Sequence, residues 1–160
     1  MSFASKSHPL DSFDRAILRI LQQNNRTPLQ EIGRAVNLSA AAVQRRVRQM
    51  ENANIIQANV AMVDPAAVGR PITLIVEVLV DSEHANLLDA ARNDFASAPE
   101  VQQCFYVTGA ADFILVLTVS TMEEFECLSR RLFLENTNVK HFHTYVVMNR
   151  VKTGVSVPML

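Results

Sequence analysis

The sequence is short of charge, cysteine and glycine, and it has no long apolar run. Charged residues make up 19% of its 160 positions, against roughly 25% in a typical soluble domain. A surface so poor in charge is expected to be hidden in part by a partner. The two cysteines, Cys104 and Cys127, stand far apart and form no C-x-x-C pair. That spacing excludes a disulfide framework and a zinc knuckle, and it points to buried thiols in a reducing cytoplasm. The longest apolar stretches, Ile72–Val80 (interrupted by Glu77) and Phe113–Val119, fall well short of the roughly 20 residues a membrane helix needs. The polar start, Met1 to Pro9, holds no run that could act as a signal peptide. There is no Gly/Ser-rich linker, no repeat and no glycine loop of the phosphate-cradling kind, and neither cysteine lies in a nucleophile motif. These absences predict a soluble, cytoplasmic protein that is not an enzyme and has no resident cofactor.

What is present is enough apolar material, 49% of the chain, to bury the core of one ordinary domain or two small ones. The formal charge of −1 argues against a nucleic-acid partner until it is divided along the chain. Residues 1–60 carry eight basic side chains (Lys6, Arg15, Arg19, Arg26, Arg34, Arg45, Arg46, Arg48) and four acidic ones (Asp11, Asp14, Glu31, Glu51), a net of +4. Residues 61–160 carry seven basic and twelve acidic groups, a net of −5. Such asymmetry predicts a basic contact surface joined to an acidic body.

The basic part reads as three short helices. Asp11 with Asp14 forms a capping box ahead of an apolar stripe of Ile17, Leu18, Ile20 and Leu21, which Asn24-Asn25 ends. Thr27-Pro28-Leu29-Gln30 predicts a second start, with threonine as cap, proline in the first turn and glutamine closing the box. This second helix stops at Asn37, a residue that tolerates the left-handed turn conformation. Ser39 caps a third helix running to about Asn52. Helix, short turn, helix is the helix-turn-helix arrangement. At 100° per residue, Val43, Val47 and Met50 share the core side of the third helix. Ala41, Arg45 and Arg48 fall opposite, flanked by Gln44 and Gln49. Small residues admit close approach to a major groove, amides and guanidinium groups read base edges, and arginines also hold phosphate. Arg46 lies nearer the core edge, placed equally for phosphate or for an acid on the first helix. The DNA-binding set is therefore Ser39, Ala40, Ala41, Gln44, Arg45, Arg46 and Arg48. Arg15, Arg19 and Arg34 read as solvated helix surface.

Beyond a turn-like join at Asp64–Gly69, the pattern is strand (72–80), helix (84–98), strand (101–108), strand (113–119), helix (opened by the box Thr121-Met122-Glu123-Glu124) and strand (141–151). This βαββαβ order is that of a ferredoxin-like sandwich, in which the face away from the helices should turn polar. Instead Leu74, Val76, Val78 and Val80 alternate with Ile75 and Leu79, and Phe113, Leu115 and Leu117 alternate with Ile114 and Val116. A sheet apolar on both faces needs a second cover, most simply the same sheet of another copy, so at least a dimer is expected. The fold class is thus α+β. An N-terminal helix-turn-helix (winged-helix-like) domain at 8–60 and a linker at 61–70 precede a ferredoxin-like effector and assembly domain at 71–153.

The combined pattern resembles the Lrp/AsnC (feast/famine) transcription regulators over nearly the whole chain. The resemblance rests on Leu10-Asp11-x-x-Asp14-Arg15-x-Ile17-Leu18, Leu38-Ser39, Arg46-Val47-Arg48-x-Met50-Glu51, Pro99-Glu100-Val101, Val107-Thr108-Gly109-x-x-Asp112-Phe113 and Thr144-Tyr145-Val146-Val147-Met148. It implies binding to double-stranded operator DNA, dimers that commonly build octamers, and an amino acid or related metabolite as effector. In such proteins the effector sits between dimers near the G-x-x-D turn. That nominates Thr108, Gly109 and Asp112, with Met122, Tyr145, Val146 and Val147 as neighbours from adjoining elements. A zwitterion needs an acceptor, which Asp112 can be, and donors, which the N–H groups around Gly109 can be. The plain alternative for Gly109–Asp112 is a β-turn in which glycine supplies an unusual backbone angle. Ala40, Asn54 and Ala110-Ala111 depart from the family's usual proline, glycine and polar residues.

Two rival readings remain at this level. His141 and His143 lie two apart on one strand face, a spacing that can suit a metal. No third ligand is evident in the sequence, so surface or interface histidines are the simpler reading and no metal site is expected. Alternatively, the helix-turn-helix of a metabolite sensor contacts a protein instead of DNA.

Overall fold

The computed structural model describes residues 9–82 and 84–159; residue 8, the expected start of the first domain, lies outside them. The chain divides into two compact units, residues 1–61 with 152–160, and residues 62–151. No helix among the described residues is long and apolar enough to cross a membrane.

The first unit holds α1 (Ser12–Gln23), α2 (Leu29–Val36) and α3 (Ala40–Asn52). The capping box that opens α1 is complete: Asp11 accepts from Asp14 N at 2.8 Å, and Asp14 accepts from Asp11 N at 3.2 Å. The opening of α2 differs from the expected box. No side chain caps it, because Thr27 Oγ1 donates to the Asn24 carbonyl at 2.8 Å, and the helix begins one residue later, behind Pro28. Asn37 closes α2 in the left-handed conformation at φ 56°, and Ser39 Oγ then accepts from Ala42 N at 3.2 Å to open α3. Asn54, at φ 57°, ends the run. Ile17, Leu18, Ile32, Val36, Val43 and Met50 form the buried core of this unit. Gly33 is buried at the α2–α3 turn, where a Cβ would stand 2.5 Å from the Leu38 carbonyl oxygen.

Residues 152–159 also belong to this unit; the linear reading ends the second domain at 153 and assigns the residues after it to neither. The Gln22 side-chain amide accepts from Val157 N at 2.6 Å and donates to the Val157 carbonyl at 3.1 Å. Arg19 donates to the Met159 carbonyl at 3.0 Å, and Met159 packs against the helical core. Pro158, between these two anchored residues, has no N–H to leave unpaired. Arg19 is therefore a tether for this segment as well as a surface cation.

The second unit is a four-stranded antiparallel sheet in the order β2-β3-β1-β4, with β1 Ile72–Val80, β2 Val101–Tyr106, β3 Phe113–Val119 and β4 Val139–Val146. This is the split βαβ order of a ferredoxin-like sandwich. Helix α4 (Ala85–Ser97) precedes β2, and α5 (Met122–Ser129) runs into a π-helical turn, Arg130–Leu134, instead of continuing regularly. Thr121 caps α5 from its side chain, while Glu124 turns back to Ser120 N and Oγ instead of Thr121 N. The inner sheet face is apolar on β1 and β3: Leu74, Val76, Val78, Phe113, Leu115 and Leu117 pack with Phe95, Leu128 and Phe133 of the helical layer. Phe95 meets Phe113 edge-on at 5.3 Å between centroids, and Phe133 meets Phe142 at 4.8 Å.

On the outer face the alternation expected from the sequence is present on β1 and β3, where Ile75, Leu79, Ile114 and Val116 are partly exposed. Phe105 on β2 and Tyr145 on β4 are each 51% exposed there. The register sets Glu77 opposite His143 and Leu79 opposite His141. The outer face thus has an apolar middle and a polar border along β4.

Candidate nucleic-acid interface and effector turn

Helix α3 shows to solvent the residues its angular pattern assigns outward: Ala41, Gln44, Arg45, Arg48 and Gln49 are exposed, while Val43 and Met50 are buried. Ala41, Gln44, Arg45 and Arg48 follow the i, i+3, i+4, i+7 spacing of a single helix face. Ala40 is half-buried beneath the first turn, and the exposed Ser39 spends its hydroxyl on the cap.

Arg46 behaves differently from its neighbours. Its guanidinium donates to Asp11 and Asp14, both at 2.8 Å, and lies 5.4 Å from the Phe13 ring centroid. It ties α3 to the start of α1 through Nη1, which makes the acids of the first helix its partners within the chain. Each carboxylate it meets is already fixed by the capping box, which explains why the side chain settles there. The Asp14 N–H, with Arg46 in support, holds the Asp11 carboxyl below its ordinary range, and the two aspartates raise Arg46 further.

A pH dependence follows with a definite sign. A carboxyl depressed by folding stabilises above its unfolded value, about 3.9 for aspartate. That contribution disappears as pH falls through the lower, folded value. Thermal melts between pH 5 and pH 3 are expected to fall more steeply for the parent chain than for Asp11→Asn, which keeps a cap acceptor but loses the charge. Equal slopes would mean that Asp11 adds no acid-sensitive stability.

The turn between β2 and β3 carries Thr108, Gly109 and Asp112. Gly109 is exposed at φ 144°, a backbone state closed to most side chains. Asp112 is knitted into the sheet: its N–H donates to the Val78 carbonyl at 2.9 Å, its carbonyl accepts from Val107 N at 2.9 Å, and its carboxylate accepts from Val80 N at 2.8 Å. The aspartate therefore shapes the end of β1 as well as offering charge.

Met122, Tyr145, Val146 and Val147 are not neighbours of this turn within the chain. Phe113, next to the turn, pairs with Val78, whereas Val119, just before α5, pairs with Ile72. Tyr145 pairs with Ile75, and Val147 N donates to the Thr73 carbonyl. Measured along β3 at about 3.3 Å per residue, Met122 lies beyond the far end, roughly 20 Å from the turn, whereas Tyr145 is level with Val116, roughly 10 Å along and two strands across. Met122, Tyr145 and Val146 are 46%, 51% and 52% exposed. Within one chain the nominated residues thus form two separate groups.

The AsnC-type helix-turn-helix domain matches residues 10–51, and the Lrp/AsnC ligand-binding domain matches residues 73–157. The chain belongs to the Lrp/AsnC family. A relative from Sinorhizobium fredii, an HTH-type transcriptional regulator, is 44% identical over 150 residues, covering 94% of this chain and 89% of its own. The leucine-responsive regulatory protein of Klebsiella pneumoniae is 30% identical over 151 residues, covering 92% of each chain. Among solved structures, a transcriptional regulator from Neisseria meningitidis in complex with L-Met superposes with a TM-score of 0.86 at 27% identity, covering 93% of this chain and 96% of that one. Like these Lrp/AsnC proteins, the present chain is a transcriptional regulator with a helix-turn-helix and a ligand-binding domain, and the family is not one of enzymes.

Sequence reasoning missed Gly33, although it is the only glycine in the first sixty residues and lies inside a helix pattern. A lone helical glycine signals close backbone approach. It also missed Val78 and Val80 as partners of Asp112, which come from a strand more than thirty residues away.

Proposed function

We propose that this Lrp/AsnC regulator binds operator DNA sequence-specifically in the cytoplasm and responds to an amino acid or a related small metabolite. It acts as a dimer or a dimer-based higher oligomer. The observation that carries DNA binding is the exposed face of α3, where Ala41, Gln44, Arg45 and Arg48 stand at one-face spacing with no acid among them. In helix-turn-helix proteins the second helix of the motif enters the major groove. The +4 charge of residues 1–60 supplies the attraction for phosphate.

Assembly is supported by the outer sheet face, whose apolar middle is uncovered in a single chain. The effector reading is supported by the two half-sites. Thr108, Gly109 and Asp112 offer an acceptor and backbone donors; Met122, Tyr145, Val146 and Val147 offer apolar surface for a side chain. A second copy brings the two kinds of half-site together.

A mobility-shift titration with the chain's own promoter region tests DNA binding. Affinity is expected to fall roughly 10³–10⁵-fold between 50 and 200 mM salt if six to ten phosphates are contacted. No binding at low salt would leave the helix-turn-helix to a protein partner. Effector binding is tested by thermal shift against the twenty amino acids, with Asp112→Asn as control. Asparagine keeps an acceptor for Val80 N but removes the charge an ammonium group needs. The parent is expected to rise by several degrees with one ligand in excess, since ligand at about 100 Kd adds about 2.7 kcal/mol. The variant is expected to lose most of that rise, and an equal rise in both would remove Asp112 from the site.

A further inference from the structure

We propose that His141 and His143 form a chelating site for a borderline divalent transition ion of the zinc class. Both side chains leave the same exposed face of β4, and their Nε2 atoms lie 3.5 Å apart. Two tetrahedral zinc–nitrogen bonds of about 2.0–2.1 Å hold their nitrogens roughly 3.3–3.4 Å apart. The separation of the two nitrogens is therefore close to the bite of a tetrahedral ion. The rings meet edge to face, 84° between planes and 4.5 Å between centroids, so binding an ion requires the two exposed rings to turn until both Nε2 lone pairs converge on it.

The surroundings favour a cation. The sheet register sets Glu77 of β1 directly opposite His143 on the same face, an acid that the sequence, with the two 66 positions apart, could not place there. Its carboxylate accepts from the Tyr145 hydroxyl at 3.1 Å, which raises the phenol above its ordinary range. The negative charge thus borders the histidine pair without ligating. β4 is an edge strand, so an ion and its waters can approach from the open side. Among the described residues no three His, Cys, Asp or Glu side chains gather as a metal set. The two imidazoles are accordingly the protein's whole contribution, and water completes the shell. Imidazole selects zinc, nickel and copper over magnesium and calcium, which prefer oxygen. Protons compete for the same nitrogens, so affinity falls in acid. The pair is two strands across from the Gly109–Asp112 turn and borders Tyr145, yet it uses neither the turn's residues nor Tyr145 as ligands, so it stands whether or not the effector reading holds.

The test is a titration of the full, untagged chain with Zn²⁺, followed by calorimetry and by tyrosine emission. The chain has no tryptophan and two tyrosines, so a change near Tyr145 is visible. One ion per chain is expected, with Mg²⁺ and Ca²⁺ silent. His141→Ala and His143→Ala should each weaken binding by about tenfold or more and abolish the emission change, with unaltered melting in the absence of metal. Glu77→Gln should weaken it severalfold. Zinc binding that survives both histidine substitutions, or that disappears instead in Cys127→Ser at the exposed thiol, overturns the proposal, as does no binding by the parent chain.

Discussion

Arg45→Ala is expected to weaken operator binding by about 1–3 kcal/mol, roughly 5- to 150-fold, while melting and assembly stay as in the parent. The side chain is exposed on the outward face of α3, so its loss removes no packing. It stands one turn after Ala41, in the half of the helix that helix-turn-helix proteins press against base edges. Relaxed preference at one operator position should accompany the weaker affinity. Arg48 lies almost one turn further on, and Arg48→Ala is expected to weaken all sequences alike and to lower the salt slope by about one. Arg46→Ala separates these effects from structure. It breaks the tie to Asp11 and Asp14, so it should lower the melting temperature first and affect DNA only through that loss. Mobility shifts at several salt concentrations, beside thermal melts, distinguish the three variants. Parent-like binding by Arg45→Ala or Arg48→Ala removes that residue from the interface.

Gly33→Ala is the second large effect. Two terms compete. Alanine in place of a helical glycine gains up to about 1 kcal/mol of helix propensity. Against this, its Cβ would stand 2.5 Å from the Leu38 carbonyl oxygen. The obstacle is backbone and not a flexible side chain. That carbonyl sits between the left-handed Asn37 and the Ser39 cap, so it cannot rotate away without opening the turn. Overpacking of this kind costs about 1–3 kcal/mol, and here it also misaligns α3 against α2. A lower melting temperature and weakened DNA binding are expected together. A variant that melts higher than the parent would show that the turn yields cheaply and that propensity wins.

These contrasts show which parts of the molecule a linear reading reaches. Asp11, Asp14, Asn37 and Ser39 act on backbone groups within three residues, so their roles are legible from spacing alone. The outward set on α3 is equally legible, because a helix converts sequence interval directly into angle. Thr27 was misread for a local reason: a hydroxyl beside several backbone groups has more than one partner to choose from, and it bonds the Asn24 carbonyl. The strand order follows from the pattern of elements, but distances across the sheet do not. The length of β3 divides Met122 from Gly109, and about half that length with two strands' width divides Tyr145 from it. Asp112, Glu77 and Gln22 find their partners through register or tertiary packing, at separations of 32, 68 and 135 residues, where no periodicity reaches.

The helical unit that begins the chain is not a contiguous piece of it. Residues 152–159 are translated only after the whole sheet domain, so the helical unit waits for Met159 to complete its core and for Val157 to occupy the Gln22 amide. A fragment cut near residue 61 lacks those groups and exposes the surface they cover. Order of synthesis and order of completion therefore differ in this protein: the part made first is finished after the part made second.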